Sequence, residues 1–148
     1  MKLREIVENL ERKQPLVVAK AARLRDAIRI MNENNVGALL VVDLNGVCQG
    51  IISERDIMRH IEKGSLQIQV HEASTPKDRM VFGRLEDEVE QATLVMDQRH
   101  IRHLPVLDST ERVIALLSIR DLLRTKLEDA EDDRKALMGY ISGSYPVA

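Results

Sequence analysis

A serine, an arginine and an aspartate occur twice in the same order, as G-I-I-S-E-R-D at 50–56 and A-L-L-S-I-R-D at 115–121. Serine followed three residues later by an acid is a helix capping box: the hydroxyl takes an orphan amide and the acid reaches back to the cap residue's N–H. The same junction has a second chemistry. A helix N-terminus at the end of a strand offers amides and the positive end of a dipole to a phosphate, with the Ser53 or Ser118 hydroxyl beside them. Asp56 or Asp121, one turn in, could accept both hydroxyls of a ribose, each such bond contributing about 1.5–3 kcal/mol. Flanking aliphatic strands could sandwich a flat base. One isolated S-x-x-D reads as a cap; two in register weaken that reading.

The other reactive side chains give weaker signals. His60 and His71 have no repeated partner and read as solvated surface. His100-Ile101-Arg102-His103 is either a phosphate-binding edge or a solvated helix end where cations suit the dipole. A metal site on His100 and His103 is not expected, because no carboxylate cluster completes a shell. Glu128, Asp129, Glu131, Asp132 and Asp133 read as a solvated helix face or a frayed segment. No Walker loop, HExxH or G-x-G-x-x-G occurs, and no nucleophile lies beside a base, which argues against an enzyme.

The elements that must hold the two junctions are themselves duplicated. At a constant offset of 65 residues, positions 24–61 and 89–126 share nine identities in 38, at Ala27, Met31, Leu39, Val41, Asp43, Ser53, Arg55, Asp56 and Arg59. Ordinary composition would give about two or three. In the first copy Val17-Val18 begins a strand. Leu24, Ala27, Ile28 and Met31 have helical spacing, stopped at Asn34-Asn35. Ala38–Val42 is a buried strand, Asp43-Leu44-Asn45-Gly46 a hairpin turn, Val47–Ile52 a strand, and Ser53 opens a helix that fades near Gly64. The second copy repeats this: a strand at Val81-Phe82, a helix from Glu86 to about Gln98, strands Leu104–Leu107 and Val113–Leu117 around the turn 108–112, and a helix from Ser118. Each copy is β-α-β-β-α, and neither buries enough surface to be stable alone.

The expected organisation is α/β: an amphipathic helix at 1–13 with Leu3, Ile6, Val7 and Leu10 on one face, a first repeat at 14–63, a connector at 64–78, a second repeat at 79–127, and a C-terminal helix or tail at 128–148. In that tail Leu137, Met138 and Ile141 have helical spacing before Gly143 and Pro146 end it. The 148 residues suit two halves sharing a core rather than two independent domains. With 44% hydrophobic residues but one Phe, two Tyr and no Trp, that core is aliphatic. A net charge of −2 and a pI near 6.1 give no global field for nucleic acid or an anionic membrane. Cys48, the only cysteine, excludes an internal disulfide and paired-thiolate zinc. The charged N-terminal residues and the lack of a long apolar run lead to the expectation of a cytoplasmic protein without membrane contact.

The doubled β-α-β-β-α with h-h-S-x-x-D closing each copy resembles a tandem pair of CBS (cystathionine-β-synthase) domains over residues 14–127. V-G-A-L-L-V-V-D at 36–43 and I-R-H-L-P-V-L-D at 101–108 are the matching second strands, and the tail from Leu137 to Gly143 resembles small stand-alone bacterial members. The resemblance implies two repeats packed as a pseudo-twofold pair, flanked by N- and C-terminal helices. It implies a regulatory module without catalysis that binds an adenosyl ligand (AMP, ADP, ATP, NAD or S-adenosylmethionine), forms a homodimer and acts on a protein effector the sequence does not identify. The alternatives are a structural dimerisation module with empty clefts and, third, a nucleotide-processing enzyme. Carried over by position, one site would use Ser53, Arg55, Asp56, Thr75 and Pro76 with Arg102 and His103. The other would use Ser118, Arg120 and Asp121 with Leu16, Val17, Val36, Gly37 and Ala38. Having more positive charge, the Asp56 site is expected to take the more highly phosphorylated ligand. Two departures stand out: Ala115 where the first copy has Gly50, and Ala73-Ser74 where the family usually places a bulky apolar residue before Thr-Pro.

Overall fold

The computed structural model describes residues 1–64 and 66–141; Ser65 of the connector and the tail residues Gly143 and Pro146 lie outside the described residues. The chain divides into two compact units that alternate along the sequence. One comprises Met1–Leu10, Gly83–Leu104 and the chain from Leu117 on; the other comprises Glu11–Phe82 and Pro105–Leu116.

The first copy forms strand β1 (Val17–Ala19), helix α2 (Leu24–Asn34), strands β2 (Ala38–Val42) and β3 (Cys48–Ser53), and helix α3 (Glu54–Glu62), after a short helix α1 (Leu3–Glu8). The connector carries helix α4 (Val70–Ala73), strand β4 (Thr75–Pro76) and a 3-10 turn at Lys77–Arg79. The second copy is β5 (Gly83–Arg84), α5 (Val89–Arg99), β6 (His103–Leu107), β7 (Val113–Ser118) and α6 (Ile119–Ile141). One sheet has the order β1-β2-β3-β4, the other β5-β6-β7. The expected α/β class with two β-α-β-β-α copies is what the chain adopts.

Several local features recur in both copies. Both helices after the first strand bury residues at three- and four-residue spacing, Leu24, Ala27 and Met31 in α2 and Val89, Ala92 and Met96 in α5. Both end in a left-handed cap, Asn35 at φ 53° and His100 at φ 54°. Both hairpins are clamped by an aspartate: Asp43 Oδ1 accepts the N–H of Asn45 (2.9 Å) and Val47 (3.0 Å), and Asp108 Oδ1 those of Thr110 (2.8 Å) and Arg112 (3.1 Å). In the unit that holds the first copy, the core is Val18, Leu24, Ala27, Met31, Leu39, Val41, Ile52 and Ile57, closed by Val70 and Ala73 of α4.

α4 is an element the spacing did not predict, and α1 is its counterpart. Val70 and His71 donate their N–H groups to the carbonyls of Ala22 (2.7 Å) and Lys20 (3.0 Å), and Leu24 donates to Ile68 (3.1 Å). Leu3 and Arg4 donate to Asp87 (2.9 Å) and Leu85 (2.9 Å), and Val89 donates to Met1 (3.0 Å). The acceptors for the helix amides, Ala22 with Asp87 and Lys20 with Leu85, are equivalent at an offset of 65, and Arg23 with Gln69 and Lys2 with Glu88 form matching bridges. The connector helix thus plugs the first copy and the N-terminal helix the second. Helices of six and four residues have no stability of their own. Docking holds them, through Leu3 and Val70, both fully buried. Gly83 makes room for Leu3: a Cβ there would stand 2.9 Å from the side chains of Leu3 and Leu104.

The second copy departs from the first at β5, expected at Val81-Phe82 and found at Gly83–Arg84. In the first copy Leu40 donates its N–H to Leu16 (3.1 Å) and opens the parallel pairing of β1 with β2. Pro105 stands at the equivalent place and has no N–H to give, so the second copy's strand begins later.

Candidate functional site

Ser53 ends β3 and caps α3, and Ser118 ends β7 immediately before α6. Asp56 Oδ2 accepts the Ser53 N–H (2.9 Å) and hydroxyl (3.0 Å), while the Asp56 N–H reaches Ser53 Oγ (3.4 Å). Asp121 Oδ2 likewise accepts the Ser118 N–H (2.8 Å), and the Asp121 N–H reaches Ser118 Oγ (3.2 Å). Both capping boxes are fully formed. They load one carboxylate oxygen each, and a carboxylate has about four acceptor positions. Asp56 Oδ1 has Arg59 at 3.8 Å, and the Asp56 side chain is only 13% exposed, so its remaining accepting capacity lies in a partly dry recess. In both copies the serine and aspartate are half-buried and the arginine between them, Arg55 or Arg120, is exposed.

The second strand of each copy closes the junction through the main chain. Glu54 donates its N–H to the Gly37 carbonyl (3.0 Å), and Ala38 pairs with Ser53 across the β2–β3 ladder. Ile119 donates to the Arg102 carbonyl (2.8 Å). These main-chain contacts bring Gly37 and Ala38 to the Ser53 junction, and Arg102 to the Ser118–Ile119 junction. Val36 donates its N–H to Met31 (3.1 Å) at the end of α2, beside Gly37. His103 is the first residue of β6, half-buried, next to exposed Arg102. Leu16 and Val17 lie at the start of β1, where Val17 pairs with Leu40.

Thr75 and Pro76 are brought alongside the first junction. Thr75 pairs with Ile51 and Pro76 with Gly50, extending the sheet by β4. This approach requires glycine, because a Cβ at position 50 would stand 2.5 Å from the Thr75 carbonyl oxygen. At the equivalent place β7 carries Ala115, and its sheet has three strands.

The remaining candidates have local roles. His60 is half-buried rather than solvated, its Nδ1 3.2 Å from the Asp56 carbonyl; at the equivalent position the Thr125 hydroxyl donates to the Asp121 carbonyl (3.0 Å). His71 is exposed, and His100 is the exposed C-cap of α5. Burial pushes the Cys48 thiol up from its ordinary pKa, the opposite of nucleophile activation. Among the described residues no three His, Cys, Asp or Glu side chains converge as a metal shell, and no helix is long and apolar enough to cross a membrane.

Sequence spacing located the serines and aspartates but missed the closing carbonyls and α4. The signal for α4 was present: L-R-E-I at 3–6 and V-H-E-A at 70–73 share apolar, basic, Glu, apolar at an offset of 67 rather than 65.

The sequence profile of the CBS domain matches residues 7–63 and 78–128. A mitochondrial CBS domain-containing protein of Arabidopsis thaliana is 32% identical over 125 residues, covering 81% of this chain and 60% of that protein. The chain thus spans less than two thirds of that relative's length. A CBS-domain structure from Burkholderia ambifaria superposes with a TM-score of 0.80 at 30% identity, covering 87% of this chain and 96% of the other. A CBS domain protein from Pyrobaculum aerophilum complexed with AMP gives 0.71 at 23% identity, covering 82% and 89%. A CBS domain pair complexed with 5′-methylthioadenosine and S-adenosyl-L-methionine gives 0.74 at 22% identity, covering 84% and 98%. At those two identities the likeness is one of fold.

Proposed function

The chain belongs to the CBS-domain family, and from that premise we propose that it is a regulatory module binding an adenosyl ligand: AMP, ADP, ATP, NAD or S-adenosylmethionine. The observation that carries this reading is the doubled junction. Two aspartates, each one turn into a helix, hold a half-buried carboxylate in place with one oxygen and keep accepting capacity for a ribose diol. A serine and an exposed arginine stand beside each for phosphate or another charged group. Solved relatives holding AMP or S-adenosylmethionine support the ligand class. In the first copy the ligand rests on Ser53, Arg55 and Asp56 with Thr75 and Pro76 against the base; in the second it rests on Ser118, Arg120 and Asp121. The protein works as a cytoplasmic homodimer and modulates a protein effector, shifting it only by the ligand's differential affinity for two arrangements.

A thermal melt with each nucleotide tests this, every shift being referenced to the same variant without ligand. At 100 times its Kd a ligand stabilises by about 2.7 kcal/mol, which is readily seen. AMP, ATP or NAD is expected to raise the melting temperature, and Asp56→Ala and Asp121→Ala each to remove part of that rise. The absence of a shift with every adenosyl ligand would sink the reading. Nucleotide turnover abolished by Asp56→Ala would replace it with an enzyme. The complete capping boxes favour one second reading, a dimerisation module whose junctions do no more than start two helices; it predicts flat melts.

A further inference from the structure

α6 runs for 23 residues, about 35 Å at 1.5 Å per residue. Leu122 is its last buried side chain, and every residue from 126 to 138 is exposed. Nearly four turns of helix therefore stand without tertiary burial, a length that is marginal by itself in water. Five of its exposed apolar residues are ordered, with Met138 and Tyr140 lying off the series. Leu123, Leu127, Ala130, Leu137 and Ile141, with Arg134 completing the series, follow the alternating four- and three-residue spacing of a heptad seam. Leu123 is 51%, Leu127 69%, Leu137 62% and Ile141 72% exposed. Arg134, the polar member, donates to both Glu131 oxygens (3.1 and 2.7 Å), so its head is held at the flank while its aliphatic stem remains for packing.

The charges beside the seam say what covers it. We propose that a second copy of this chain packs its α6 antiparallel along this face, with Leu127 of one against Ala130 of the other. In that register Leu123 faces the stem of Arg134, Lys126 faces Asp133, and Arg124 faces Glu131; the twofold axis repeats each pair. Both charged flanking pairs have opposite sign. A parallel pair would instead stack Arg134 on Arg134 and Arg120 on Arg120 in the seam, where like charges repel. Lys126 meets an acid in either direction, Asp133 when antiparallel and Glu131 when parallel, so it is the seam that selects the antiparallel pair. This deepens the homodimer reading by naming its surface and direction, and it needs no nucleotide.

The test is the dimer dissociation constant of the full chain without nucleotide, measured by analytical ultracentrifugation for wild type, Lys126→Glu, Asp133→Lys and the double variant. Each single reversal sets like charges together twice per dimer and is expected to raise Kd about 10-fold, with the double variant returning to within about 3-fold of wild type. Circular dichroism checks that each variant keeps its helix, and neither residue belongs to the proposed ligand sites. A monomeric wild type, a Kd indifferent to the single reversals, or a double variant that fails to recover overturns the proposal. The last result would also mark a parallel pair, in which position 126 faces Glu131. Nucleotide melts are read separately, so failure of either reading leaves the other standing.

Discussion

A methyl group at position 50 would stand 2.5 Å from the Thr75 carbonyl oxygen, whereas position 115 carries one as Ala115. The absence of a side chain at position 50 is therefore what lets β4 lie beside the first serine junction. Gly50→Ala is expected to cost about 1–3 kcal/mol in urea unfolding, through strain on backbone that cannot swing aside as a side chain would, and to raise hydrogen exchange at Ile51 and Thr75. Ser53, Asp56, Ser118 and Asp121 were legible because a capping box needs those residue types at that spacing. Gly37 and Arg102 were not legible as closing residues, since each contributes a main-chain carbonyl that any residue could supply.

Periodicity found the long elements and the N-terminal helix but failed on the shortest one. α2 and α5, of 11 residues each, display three turns of spacing, while α4 has four residues and no period to read. The displacement of β5 came from a different cause: Pro105 reads as part of an apolar strand, yet lacks the donor that Leu40 uses. The short helices nonetheless bear much of the packing. Leu3→Ala is expected to destabilise the protein by about 2–5 kcal/mol, far more than its place in a six-residue terminal helix suggests, because its side chain is fully buried where Gly83 opens a space. Chemical denaturation of that variant beside an exposed control, Glu8→Ala, checks it; equal stability would show that α1 frays without cost.

Across the whole chain, a cut in the connector separates each copy from its plug. Residues 1–64 carry α1 but lack α4, and residues 66–148 carry α4 but lack α1. Expressed separately, neither fragment is expected to melt cooperatively in circular dichroism, and mixing them at equal concentration is expected to restore a single transition; a 1–64 fragment that melts sharply alone would refute this. The 65-residue duplication was plain in the sequence, but the crossing of the plugs was not, since it follows an offset of 67 and joins residues distant along the chain. That crossing has a counterpart between separate subunits. Two identical subunits that lend each other their N-terminal helices hold the same contacts that α1 and α4 make here. Joining two such chains end to end would reproduce this arrangement without breaking any of those contacts.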